Sequence, residues 1–294
     1  VLDDNKSDIT REMGDTIRLA SYVYDWCYPL LSSDDRNYII VACEAIATRM
    51  EIKYPPSSQG GVVGHGSEAQ LFRDLLSFGI ATYNERPDIY NYVAGRLLSE
   101  FIEPRNYWFP AHSHYQGTMY GTGRHTSELM FQWIMYRMSG EKMFIDDAEF
   151  VPYQWLYARR PDGQDFRNGD SSFKYVIGEY LFNNSEPAFY SSNFYNNGYV
   201  KKLYTDSNYT TPSYIGQGIL TAVHHLIFNN PDLEPQSVTN LPLTKYFGSP
   251  HGMMIARTGW IEPRTVDMSS DIVMAQMLIS EMNSVNHQHV DAGS

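Results

Sequence analysis

From Thr10 the apolar positions Ile17, Leu19, Tyr22, Val23, Trp26, Cys27 and Leu30 recur at intervals of three and four, the spacing of one helix face. Ser32-Ser33-Asp34-Asp35 then offers an N-cap, and Tyr38, Ile39, Ala42, Cys43, Ala45 and Ile46 resume the period. The run Pro55-Pro56-Ser57-Ser58-Gln59-Gly60-Gly61 breaks it. Further helices are predicted over 68–83, 88–101, 126–138, 173–182, 189–203 and 215–228, with punctuated loops at 159–163 and 168–170. From about Leu241 the pattern changes. Residues 252–257 and 272–279 are short apolar runs bounded by Gly, Pro and Ser, which read as strands. The Pro-, Asn- and Ser-rich stretch 231–242 reads as a linker. Helices first and strands later predict an α+β multidomain chain: an all-α body over 1–240, then the start of an antiparallel β domain over 241–294.

Length allows at least one substantial core in 294 residues. Hydrophobic residues make up 43% of the chain, yet no apolar run is long enough to span a bilayer. The start, Val-Leu-Asp-Asp-Asn-Lys, has neither a basic nor an apolar leader region, so the chain either was never exported or has lost its leader. Cys27 and Cys43 fall on neighbouring helical segments and read as buried thiols rather than a disulfide framework. A formal charge of -12 argues against nonspecific nucleic-acid binding, while leaving room for an anionic ligand in a local basic cleft. Tyrosines outnumber phenylalanines 23 to 14. That excess suits an amphipathic cleft, such as one in which rings stack on sugars; a large helical core that uses Tyr is the alternative.

Four clusters carry the candidate chemistry. In Gly64-His65-Gly66-Ser67-Glu68 the glycines permit close approach of a ligand, and Glu68 can fix the tautomer of His65; otherwise Ser67 caps a helix and Glu68 is a first-turn carboxylate. The stretch from Trp108 to His125 holds His112, His114, His125, two tyrosines, Gln116 and Arg124 among glycines. If Tyr120 to Arg124 is helical, the guanidinium stands one turn from the phenol and favours its ionised form. Arg159-Arg160-Pro161-Asp162-Gly163 either presents guanidiniums to carboxylates or sulfates or is an ordinary helix end and turn. His224-His225, on an apolar helical pattern, reads as structural. At the end, Asn286-His287-Gln288-His289 puts two imidazoles on one strand face, followed by Asp-Ala-Gly-Ser. His-x-His is by itself a weak metal motif, because zinc takes three or four protein ligands. The chain stops inside this cluster, which suggests a piece of a longer protein.

Together these motifs resemble those of the heparinase II/III-like polysaccharide lyases: Gly-His65-Gly-Ser-Glu68, His114-Tyr-Gln-Gly-Thr-Met-Tyr120-Gly-Thr-Gly-Arg124, the Arg-Pro-Asp162-Gly163 turn and Asn286-His287-Gln-His289-Val-Asp-Ala-Gly-Ser. Their order spans most of the chain. The resemblance implies an N-terminal α/α toroid followed by an antiparallel β-sandwich, and cleavage of acidic, often sulfated glycosaminoglycans such as heparin and heparan sulfate by β-elimination. It implies catalytic roles at His65, Tyr120 and His287, with Glu68 and Arg124 in support. Of the ligands of a structural zinc it places only His289 in this chain, the others lying beyond Ser294. It further implies a periplasmic or secreted location and allows a homodimer. His114, Gln116, Asn286, Arg159 and Arg160 are the candidate substrate-binding residues.

The residues suit this chemistry independently. Elimination removes the C5 proton beside a carboxylate, so donors must neutralise the developing enolate, which His65 and His287 can do. A base takes that proton and an acid protonates the leaving oxygen on C4. Tyr120 can do both when the two groups share a face of the ring; with the other C5 epimer a histidine serves as base and Tyr120 as acid. The rivals are a glycoside hydrolase on the same toroid, which needs two opposed carboxyl groups, a binding protein for acidic polysaccharides that cuts nothing, and a metal-dependent hydrolase using His287 and His289.

Overall fold

The computed structural model describes residues 9–56, 70–166, 185–205, 222–263 and 265–281. Among these the chain is mainly helical, with one small three-stranded antiparallel sheet, so its class is α+β. It divides into two compact units: the residues up to Pro104 with Met130–Met138, and Arg105–Leu129 with the residues from Ser139 onward.

In the first unit, α1 (Ile9–Trp26) packs on α2 (Ser33–Ala47). The Ser32 hydroxyl accepts from the Asp35 N–H at 3.1 Å, and the Asp35 carboxylate accepts from the Ser32 N–H at 3.1 Å. This reciprocal capping box starts α2 where the sequence predicted. A wide π turn (Gln70–Leu75) runs into α3 (Leu76–Ala81), and α4 (Pro87–Arg96) folds back on α3. A second π turn (Leu97–Phe101) continues α4 into α5 (Ile102–Trp108), whose residues from Arg105 on belong to the second unit. The core holds the Phe72 ring 4.7 Å from Phe101 and 5.1 Å from Phe131. Each such side chain, fully buried, contributes about 1.5–3 kcal/mol. Arg73 is enclosed with Asp74 at 2.6 Å and reaches Asp15 at 2.9 Å, so the charges are buried as pairs.

α6 (Gly117–Ser139) starts in the second unit, and its residues Met130–Met138 belong to the first. It begins well before the predicted 126. α7 (Tyr153–Ala158) follows, then α8 (Ser185–Tyr195), α9 (Gly198–Thr205) and α10 (Ala222–Phe228). The single helix predicted over 189–203 is two, because Asn196 takes a left-handed conformation, φ 58°, and the Asn197 side chain accepts from the Val200 N–H to restart the helix. The helix predicted over 173–182 lies outside the described residues.

Strands β1 (Thr244–Phe247), β2 (Met253–Arg257) and β3 (Met274–Leu278) are ordered β1-β2-β3, with Lys245 opposite Ile255 and Ile255 opposite Gln276. Phe247, Met253, Ile255 and Arg257 are buried, whereas Tyr246 and Met254 face outward. The sheet belongs wholly to the second unit, where the Tyr157 hydroxyl donates to the Pro242 carbonyl at 2.9 Å. Cys27 and Cys43 are free thiols; only Cys43 is fully buried, and burial pushes it up to about 12. Among the described residues no helix is long and apolar enough to cross a membrane.

Candidate functional site

The histidine- and glycine-rich stretch folds into a turn that delivers its side chains into the second unit. His112 takes a left-handed conformation at φ 56° and Gly117 takes φ 68°. Inside this turn the His114 N–H donates to Gln154 Oε1 on α7 at 2.8 Å, and the Gln116 N–H donates to His114 Nδ1 at 3.1 Å. The His114 ring stacks on Tyr115 with centroids 4.6 Å apart. It lies so close over α6 that a Cβ on Gly121 would stand 3.0 Å from His114 Cβ and 3.1 Å from Nδ1. That explains a glycine inside a helix.

A closed charge network lies beneath the turn. Glu128, three residues after His125 on α6, has no exposed side-chain surface; Arg105 Nε donates to its Oε1 at 2.7 Å. His125 Nδ1 meets Oε2 at 2.9 Å, and His114 Nε2 lies 3.4 Å from Oε1. Arg105 also donates to the Tyr115 hydroxyl at 3.0 Å and covers that ring. Burial acts to raise the Glu128 carboxyl, but His114 and Arg105, with hydrogen bonds from both histidines, hold it well below the usual carboxylate range. Burial pushes His125 below the ordinary imidazole value against the pull of Glu128.

Tyr120 and Arg124 lie on the helical stretch the sequence required, four residues apart on α6 and so on one face. Tyr120 is half-buried; Arg124 is 2% exposed, and its Nε donates to Gln116 Oε1 at 3.3 Å. His114 is fully enclosed and Gln116 is buried. Arg159 is buried and paired with Asp165 at 2.9 Å, whereas Arg160 is half-exposed, pairs with Asp162 at 2.5 Å and lines a cavity of about 440 Å³ with Phe166, Asp267 and Met274. The Arg160–Gly163 stretch is the turn its sequence advertised: the Gly163 N–H donates to the Arg160 carbonyl at 3.0 Å, with Pro at the second position. His224 Nδ1 and His225 Nδ1 each meet a tyrosine hydroxyl, of Tyr190 and Tyr204, at 2.8 Å, as structural histidines do. His65, Glu68, Asn286, His287 and His289 lie outside the described residues, and with them the expected meeting of two imidazoles and a phenol.

His114, His125 and Glu128 bring ligand atoms within 4.8 Å of one another, a composition divalent transition metals accept. The surroundings fit such an ion poorly. The backbone N–H of Gln116 occupies His114 Nδ1, so a neutral His114 carries its proton on Nε2, the atom that faces Glu128. A metal there would need an imidazolate or a turned ring. Arg105 moreover already supplies Glu128 with a cation. The cluster is better described as a buried ion-pair core that fixes the 112–117 turn on α6.

The sequence reading missed Arg105, Glu128, Gln154 and His251. Glu128 had a signal, since His125 and Glu128 stand at helical i,i+3 spacing; Arg105 and Gln154 had none, because only tertiary folding brings them here. No protein-family model matches the chain, and no curated protein matches it.

Proposed function

We propose that the chain is a polysaccharide lyase that cleaves uronate-containing glycosaminoglycans of the heparin and heparan sulfate kind by β-elimination, its helices part of an α/α toroid and its sheet the start of a β-sandwich. The observation that carries this reading is the Gln116–Tyr120–Arg124 arrangement: a buried guanidinium one helical turn from a half-buried phenol. A cation one turn away favours the phenolate a base needs, and the phenol formed when that base takes the C5 proton can then serve as the acid. The recurrent helical pairs, α1 with α2, α3 with α4 and α8 with α9, suit a toroid of hairpins. In this reading His65 and His287 neutralise the enolate, Glu68 orients His65, and the partner is an acidic polysaccharide met outside the cytoplasm. His289 is in this reading one ligand of a structural zinc.

The test is product chemistry. With heparin, heparan sulfate, chondroitin sulfate and alginate as substrates, a lyase releases 4,5-unsaturated ends that absorb in the ultraviolet. A hydrolase releases reducing ends without them, and a binding protein releases neither. Tyr120→Phe is expected to abolish unsaturated product from both uronate epimers; retained turnover refutes the role of Tyr120.

A further inference from the structure

Lys245 is out of place by the alternation of its strand. It lies on edge strand β1 between outward Thr244 and Tyr246, in the inward row with Phe247. A lysine on an edge strand ordinarily carries its ammonium out to water. This one ends over the rings of Tyr153 and Phe247, 5.3 Å from each centroid, with its Nζ 3.1 Å from His112 Nδ1. Among the described residues no carboxylate lies within ion-pair distance of it. His112 in turn places Nε2 3.1 Å from Asp147 Oδ1 and rests its ring on Phe150, 4.7 Å between centroids. Because the Lys245 N–H donates to Nδ1, the neutral imidazole carries its proton on Nε2, toward Asp147. The left-handed backbone of His112, φ 56°, sets the ring between the two.

Amine, base and orienting carboxylate therefore stand in line, the order that activates a nucleophile. The line opens to solvent: the His112 side chain is 27% exposed and that of Asp147 43%. Burial lowers the Lys245 amine from its ordinary value, and burial together with the Lys245 charge lowers His112, so both groups lean toward their neutral forms.

We propose that Lys245, activated by His112 and Asp147, is a reactive amine that forms an imine with a small carbonyl compound. Lys245 passes a proton to His112 Nδ1, and the imidazolium is held by Asp147. The free amine adds to the carbonyl carbon, and the carbinolamine oxygen leaves as water with the proton returned by His112. Ammonium and carbonyl become protonated imine and water, with no oxidant required. The proposal does not depend on the lyase reading.

The test uses the purified chain with glycolaldehyde as probe and cyanoborohydride to trap the imine, labelled lysines being identified by peptide mass at a series of pH values. Near neutral pH Lys245 is expected to label severalfold faster than the mean of the other lysines, the difference narrowing as pH rises and all amines deprotonate. His112→Phe, which keeps the ring stack, and Asp147→Asn are each expected to bring Lys245 down to the common rate without changing the others. Should His112→Phe not fold, as judged by thermal unfolding, Asp147→Asn decides. Labelling of Lys245 at or below the common rate, or an excess that survives Asp147→Asn, overturns the proposal.

Discussion

His251, in the turn between β1 and β2, is 4% exposed and sets its ring edge-on to Trp108, 5.8 Å between centroids. The Ser280 hydroxyl donates to its carbonyl at 2.7 Å, which holds the turn in place. Burial, aided by repulsion from His114, pushes the imidazole down from 6.5 to about 4. The folded state therefore resists a proton that the unfolded chain accepts. Above pH 6.5 both states are neutral and the contribution is complete; as pH falls from there toward 4 it is lost. A shift of that size is worth about 3 kcal/mol at roughly 1.4 kcal/mol per unit. His112 and His125 are shifted in the same direction and steepen the loss. Urea unfolding at about pH 7 and about pH 4 is expected to show this fall, and His251→Gln to lose about 3 kcal/mol less across the interval. An unchanged difference in the variant would mean that the ring is reached by water.

At the scale of elements, α6 shows what a sequence does and does not disclose. Alanine in place of a glycine inside a helix ordinarily gains about 1 kcal/mol. At Gly121 the added methyl would meet the His114 side chain at 3.0 Å, and His114 is held by Gln154 and Gln116. Overpacking of this kind costs about 1–3 kcal/mol, so Gly121→Ala is expected to destabilise, the reverse of propensity, with a lowered urea midpoint as the measure. Glycines in the 117–123 stretch are also why periodicity predicted the helix only from 126. α1 and α2 were legible because apolar spacing and a capping box agreed, and the Arg160–Gly163 turn because Pro and Gly fell where the turn requires them. β1 was not legible: four residues with a lysine on the inward side do not alternate as a strand should. Of the candidate site, Tyr120 and Arg124 were legible from their spacing on one helix, and Gln116 only as a member of the polar stretch just before it. The Arg105–Glu128 pair was not, since 23 residues separate its members and nothing in either flank points to the other.

For the whole molecule, the formal charge of -12 bears directly on a polyanionic substrate. A protein that captures such chains by a basic surface loses affinity as salt rises, because counterions compete. Three of the guanidiniums near the candidate site are already neutralised from within: Arg105 by Glu128, Arg159 by Asp165 and Arg160 by Asp162. Long-range repulsion is therefore expected to govern encounter, and short-range contacts to govern binding once the chain has arrived. Raising ionic strength from about 0.01 M to about 0.15 M shortens the screening length from about 30 Å to about 8 Å. Over that range the rate of unsaturated product formation at subsaturating heparin is expected to rise, whereas the rate on a short, weakly charged uronate oligosaccharide is expected to change little. A steady fall with salt on heparin would instead show that uncompensated cations dominate capture, and would move the search for the substrate surface away from these paired arginines.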